Sequence, residues 1–389
     1  MSDGRNTPRG GERNHADTDE RHTTGPAPRR PAQVWRQPAG TQARLRTLAC
    51  NDVALVLDER DDLFYTRAAL HAHRPEEGRI TVQPTPAAGS PAALAHDMLY
   101  ALGKRLAPGP NTPDAWLDSA SAAWLAAAAW GIATGVRHVM VPRTHLLTSR
   151  RIDQLLAWRA LTGTQLTLLW QMGQHGLPPV LAQVERRIRG RNQFEALLTE
   201  PGPIPARPSF PPSPAAMTRP AARLARLPPA RPQAARLASL GPGRRPHPCT
   251  SATATGQLIQ ASPPVVITSE DAAALAALAH PLIAGALSVL AFTQARLGSL
   301  RFTRDLDITA DVSVVKLHEA SHRNCPLYAV PLWARPLLAG ARAHHRLAAH
   351  PPGDSMFDSL MLTEARHVRA HAQALSRPGL PLSVGIPAP

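Results

Sequence analysis

The sequence predicts an α/β protein in which a parallel-sheet domain is followed by a mostly α-helical domain carrying a small β-hairpin. Three observations point there. Apolar runs of strand length alternate with helix-length segments between residues 46 and 200, the pattern of βαβ units and a parallel sheet. The next sixty residues are rich in Pro and Arg and lack Asp and Glu. From about 263 the chain recovers helix caps and helical spacing, with two short apolar strands between helices.

Taken in order, residues 1–45 are rich in Gly, Pro, Arg, Thr and Asp and contain nothing that nucleates a core, so they read as a disordered basic arm. Strands are expected at Val53–Leu57, Arg79–Gln83, Arg137–Val141 and Gln165–Trp170. Helices are expected at Thr66–His73, Pro91–Leu106, Asp114–Thr134 and Ser149–Leu161. In the last of these, Ile152, Leu155, Leu156 and Arg159 recur at helical spacing; Thr148 or Ser149 can cap its start and Gly163 can end it. The stretch from 201 to 250 holds fourteen prolines and eight arginines, and no acid occurs from 201 through 269. Frequent proline keeps such a chain extended, so 201–262 reads as a disordered linker and, equally, as a counterion-releasing DNA contact or a plain spacer.

Residues 263–389 read as a second globular unit. Thr268-Ser269-Glu270-Asp271 starts a helix with acids in its first turn. A further helix runs from about Pro281 to Gln294. Strands at Val312–Leu317 and Leu327–Val330 form a hairpin, and helices follow at Trp333–Leu347 and Ser359–Leu375.

Composition limits the function classes. The 389-residue chain carries a formal net charge of +15, almost all of it Arg, since Lys104 and Lys316 are the only lysines. Such a balance favours a polyanion as partner, most simply DNA, although GC-rich coding also raises Arg, Ala, Pro and Gly together. Three cysteines, Cys50, Cys249 and Cys325, stand far apart with no CxxC pair, which suits a reduced, cytoplasmic protein. No apolar run reaches the ~20 residues that span a bilayer, so no membrane partner is expected.

One stretch, "NDVALVLDERDDLFYT", needs an explanation of its own. An apolar strand feeding a short turn and a helix is where many α/β proteins bind phosphate, yet this turn holds Asp58, Glu59, Asp61 and Asp62. With Pro84, Pro86, Ala101-Leu102-Gly103, His145-Leu146-Leu147 and Thr162-Gly163-Thr164-Gln165-Leu166, the segment from about 50 to 175 resembles an ATPase of the AAA type, in the branch that accompanies transposases. The resemblance implies a P-loop-like parallel sheet. It also implies a phosphate loop whose glycines are replaced here by Asp58 and Asp61 and whose Lys is replaced by Phe64. The acidic magnesium motif is replaced by Pro142-Arg143-Thr144. A phosphate loop needs glycines, a Lys and a hydroxyl, and each carboxylate would repel a triphosphate by ~1 kcal/mol per pair at 4 Å even in water. No nucleotide cofactor is therefore expected. The acids read as a tolerated solvent-facing turn, with a new site for a cation or a basic partner as the alternative.

A second resemblance rests on Arg296, Asp307-Ile308, Lys316 and Val330-Pro331-Leu332, followed by "LTEARHVRAHAQALSRPGLPL". Residues from about 265 to 383 resemble the catalytic domain of tyrosine recombinases, the phage-integrase family. The resemblance implies that Arg296, Lys316 and Arg366 contact DNA phosphates. It departs at Ser299, where a Glu is expected, and at Thr363, where a His is expected. The family's nucleophile is a C-terminal Tyr, and only Tyr65, Tyr100 and Tyr328 occur. No catalytic residue is therefore assigned, and no metal. His318/His322 and His367/His371 have the i, i+4 spacing of a helical zinc pair, but the first falls in the hairpin and the second lacks an acid in the HExxH place.

The expected function is non-catalytic DNA binding in an integration, recombination or mobile-element context. Three alternatives stand beside it: an inactive ATPase-like adaptor for a transposase or recombinase, a recombinase completed in trans by a partner's Tyr, and a decayed gene product.

Overall fold

A computed structural model describes residues 52–86, 88–106, 115–172, 176–199, 258–259, 267–318, 325–350, 353–358, 360 and 365–375. The basic arm, Cys50, Cys249 and the Pro/Arg-rich segment other than 258–259 lie outside the described residues.

The sheet forms from the apolar runs. β1 (Val53–Leu57), β2 (Arg79–Thr81), β3 (His138–Val141), β4 (Gln165–Trp170) and β5 (Arg186–Ile188) lie in the order β2-β3-β4-β1-β5, all pairs parallel. β1, β3 and β4 are buried on both faces, as a sheet covered on both sides requires. Along β1, Val53, Leu55 and Leu57 enter the larger core, while Ala54 and Val56 enter a smaller one on the other face.

The helices sort to these two faces. α1 (Leu63–His71) covers the smaller core with Tyr65 and Ala69. On the other face lie α2 (Ala93–Ala101), α3 (Ala120–Ala133) and α4 (Ser149–Thr162). α4 is bounded as expected: the Thr148 hydroxyl accepts from the Arg151 N–H, and Gly163 closes the helix at φ +69°. α1 starts three residues before the expected Thr66 because Asp62 caps it, accepting from the Phe64 N–H. Three elements after β4 were not expected. β5 is an edge strand with Arg186 and Arg187 exposed, so it lacks an apolar signature. It is preceded by the short helix α5 (Pro179–Ala182) and followed by α6 (Arg191–Thr199), which buries Phe194 and Leu197 in the smaller core.

In the second segment, α7 (Ser269–Ala276) begins with a Thr268/Asp271 capping box. α8 (Pro281–Thr293) has Pro281 in its first turn and twelve of its thirteen residues buried. The hairpin is shorter than expected: β7 (Val314–Lys316) pairs antiparallel with β8 (Leu327–Ala329). β6 (Leu258–Ile259) falls in the stretch expected to be linker and pairs parallel with β8. α9 (Arg335–Leu347) packs on α8, where a Cβ on Gly285 would lie 2.5 Å from the Ala341 Cβ. The last helix among the described residues, α10, spans Ala365–Leu375.

The larger core runs without a break from the sheet through α3 into α8 and α9. Trp130 of α3 sits at the junction, fully buried. Its Nε1–H donates to the Ala279 carbonyl at 2.7 Å, and a Cβ on Gly340 of α9 would come within 2.9 Å of its ring. Lys104 completes the contact. Its Nζ donates to the Ala276 carbonyl at 2.6 Å and lies 3.2 Å from the centre of the Trp130 ring. The Arg105 N–H donates to the Ala277 carbonyl, also at 2.6 Å.

Replacing Gly340 by Val overpacks this junction and is expected to cost about 1–3 kcal/mol in urea unfolding, whereas Gly353→Ala, with open space around it, stays within about 0.5 kcal/mol of wild type. Burial pushes the Lys104 ammonium down to about 7 from 10.5. Between those values the unfolded chain binds one more proton, so this residue's contribution to stability is full above 10.5 and lost as pH falls through about 7. Wild type should therefore gain stability relative to Lys104→Met as pH is raised from 7 to 10, read from unfolding midpoints at each pH.

Candidate functional site

The carboxyl ends of the parallel strands form the first candidate site. The connection leaving β1 passes over one face of the sheet and that leaving β4 reaches β5 over the other, which places the topological switch point between β1 and β4, where α/β sheets bind ligands. Asp58 follows β1, Gln171 follows β4, and Arg143 follows β3.

The acidic turn is built from its own carboxylates. The Asp58 Oδ1 accepts from the Asp62 N–H at 2.9 Å, and the Asp62 Oδ1 accepts from the Phe64 N–H at 3.0 Å. These backbone N–H groups are the kind a phosphate would need, and here carboxylates already hold them. Asp62 is further paired with Arg191 of α6, whose Nε donates at 2.9 Å and whose guanidinium lies over the Phe64 ring at 4.9 Å. The Phe64 N–H first, and then Arg191, hold the Asp62 carboxyl below its usual range.

Asp58 is not solvent-facing, contrary to the sequence expectation: it is 3% exposed. Burial raises its pKa and outweighs the two backbone hydrogen bonds that lower it; Asp61 and Asp62 add to the rise. Its Oδ2 has no hydrogen-bond partner among the described residues; the same holds for the Trp170 Nε1 and the Gln171 Oε1. The Gln171 Nε2 donates to the Thr66 hydroxyl at 3.0 Å, fixing the start of α1 to the end of β4. Asp61 and Arg143 both take positive φ, 48° and 54°, a conformation L residues adopt at a cost. Burial first, and then Arg143, lower the pKa of His145 against an opposing pull from Asp61. Neither lysine lies at this edge: Lys104 is at the Trp130 junction and Lys316 is in β7.

The residues expected to meet DNA phosphates do not form one exposed surface. Arg296 is exposed, just ahead of the 3-10 turn Leu297–Phe302. Lys316 is 6% exposed in β7. Arg366 stands in the first turn of α10, and its side chain lies outside the described residues. Two nearby arginines point inward instead: Arg342 and Arg346 of α9 both donate to the buried Asp305, Arg346 at 2.7 Å.

Beside Lys316 the structure assembles a group that spacing did not predict. The β7/β8 register pairs Lys316 with Leu327, the Leu317 N–H donates to the Pro326 carbonyl, and the continuation two pairs beyond Lys316 sets His318 opposite Cys325. The His318 Nδ1 is 3.3 Å from the Cys325 Sγ, and its Nε2 is 2.9 Å from the Asp307 Oδ2. The one usable signal was the hairpin itself, since an antiparallel register fixes which residues face each other. Zinc is not supported by this arrangement: the thiol and the carboxylate take opposite ring nitrogens and do not converge. Among the described residues no cluster of three His, Cys, Asp or Glu side chains is arranged to hold a metal ion. His322 and the side chain of His367 lie outside the described residues.

No family model, no curated protein and no solved structure matches the chain. Among the described residues no helix is long and apolar enough to cross a membrane.

The raised pKa of Asp58 makes a signed prediction. Above 3.8 the folded chain holds a proton that the unfolded chain releases, so this contribution to stability is full below 3.8 and is lost as pH rises through the folded value. Asp58→Asn keeps an acceptor for the Asp62 N–H without that loss. It should be more stable than wild type at pH 7, with the gap closing towards pH 4 in denaturant titrations.

Proposed function

We propose that the chain is a DNA-binding protein of an integration, recombination or mobile-element setting, with a P-loop-like sheet that hydrolyses no nucleotide and a recombinase-like segment that transfers no strand by itself. The observation that carries the first half is the occupied turn: carboxylates of Asp58 and Asp62 hold the N–H groups that a phosphate loop would offer. The five-stranded parallel sheet, with the acidic turn and α1 leaving its strand β1, supports the scaffold reading.

DNA binding is supported by charge and by its placement. The net charge is +15, and the β5 edge exposes Arg186, Arg187 and Arg189 while Arg296 is exposed in the second segment. Arg fits phosphate recognition because its planar fork donates two parallel hydrogen bonds. In the second segment, an apolar helix followed by Arg296 and a hairpin carrying Lys316 supports the recombinase-like reading. Lys316, being buried, would serve it only from within the hairpin.

A second reading is favoured by one feature of the carboxyl edge. Leu63, Leu146 and Met172, which follow β1, β3 and β4, are each more than 40% exposed, as an adaptor docking a transposase or recombinase through that edge would need. Co-purification with such a partner after nuclease digestion supports the adaptor; loss on digestion supports DNA as the tether.

The direct test is a salt-titrated DNA-binding measurement on the intact chain. Arg296→Glu/Arg366→Glu should weaken binding and reduce the slope of log K against log salt by about two, at ~0.9 per phosphate contact. Unchanged affinity and slope would remove both residues from the interface.

A further inference from the structure

We propose that Cys325, His318 and Asp307 form a thiol–imidazole–carboxylate triad in which Cys325 is a nucleophile that accepts an acyl group from an activated acyl donor, a thioester or an aryl ester. The assignment goes beyond the DNA-binding reading and does not depend on it.

The chain of protons follows from the carboxylate. Asp307 is 6% exposed. Its Oδ2 accepts from the Arg304 N–H at 2.8 Å and the Arg304 Nε at 3.1 Å, and its Oδ1 accepts from the Arg304 Nη2 at 3.1 Å. Burial alone would raise its pKa, but the interactions with His318 and Arg304 outweigh it and leave the carboxyl below its usual range. An ionised carboxylate only accepts. The His318 Nε2 lies 2.9 Å from the Asp307 Oδ2, close enough for ion pairing although not aligned as a hydrogen bond; the carboxylate's charge favours the ring hydrogen on Nε2, which directs the Nδ1 lone pair to the Cys325 thiol. This is the logic by which a buried acid sets the tautomer of a general base.

The surroundings suit a thiolate–imidazolium pair. Lys316, the last residue of β7, lies two residues before His318, and Arg304 is paired with Asp307. Asp305, two residues from Asp307, is already paired with Arg342 and Arg346. His318 is 2% exposed while Cys325 is only half-buried. The base is thus withdrawn from solvent, whereas the cysteine is not fully buried. Nucleophilic cysteines need this combination of a neighbouring base, cationic surroundings and access.

In the step proposed, the thiol proton passes to the His318 Nδ1 and the Sγ attacks the carbonyl carbon of the donor. The Sγ–C bond forms, the bond from carbon to the leaving oxygen or sulfur breaks, and its electron pair departs with the leaving group. The proton held on His318 goes to that group or to solvent, and the acyl group remains on Cys325 as a thioester.

The test uses the full chain with Cys50→Ser and Cys249→Ser, leaving Cys325 as the sole thiol, and p-nitrophenyl acetate as the probe. The expected result at pH 7 is a burst of about one p-nitrophenolate per chain, with the acetyl group located on Cys325 by peptide mass spectrometry. Acylation should be at least about tenfold faster than in the same chain unfolded in urea, and His318→Ala should remove most of that advantage. Asp307→Asn should slow acylation and move its pH profile. If that variant fails to fold, the comparisons with urea and with His318→Ala still decide. A folded rate equal to the urea rate, or one indifferent to His318→Ala, would overturn the triad and leave a structural thiol–imidazole contact.

Discussion

The structure depends first on the burial of Trp130. α3 is built largely from alanine, which lets the sheet, α4 and the second segment approach it closely. A helix with so little side-chain volume needs one large group to fill the space it leaves, because interiors are packed to near-crystalline density. Trp130 is that group. Its ring faces Gly340, where only a missing Cβ permits contact, and its one polar atom donates to the Ala279 carbonyl. The ring also shields the Lys104 ammonium, which bonds the end of α7. Apart, the first segment would expose the Ala-rich α3 and the second the apolar α8, so the two segments secure each other's core.

That junction leaves the carboxyl edge of the sheet to solve a separate electrostatic problem. A strand–turn–helix unit leaves backbone N–H groups at the helix start without partners. Many α/β proteins leave them for a phosphate. Here Asp58 and Asp62 take them in sequence, and Arg191 neutralises the outer of the two acids. The inner acid remains buried with one oxygen unpartnered among the described residues, and its raised pKa records that cost. The acids that make the turn look hostile to nucleotide are thus the groups that build it.

The second segment uses charge differently. Asp305 and Asp307, two residues apart in a 3-10 turn, face opposite directions in the network: Asp305 binds Arg342 and Arg346 of α9, and Asp307 binds Arg304 and His318. Buried acids of this kind stabilise only when their acceptor positions are filled, and here several donors reach each one. The turn is therefore clamped between α9 and the hairpin, which fixes His318 against Cys325.

Periodicity and capping in the sequence determined the elements: the apolar runs of β1 and β4, the Thr148 and Gly163 bounds of α4, the capping box of α7 and the existence of the hairpin, all of which are local consequences of side-chain type. β5 escaped that reading because an edge strand with its arginines exposed has no apolar signature. Tertiary structure alone decided that Asp58 is buried, that Lys316 is withdrawn from the surface, and that His318, Cys325 and Asp307 meet. Each of these depends on which segments lie side by side, and a one-residue change in strand register would undo it while leaving composition and spacing untouched.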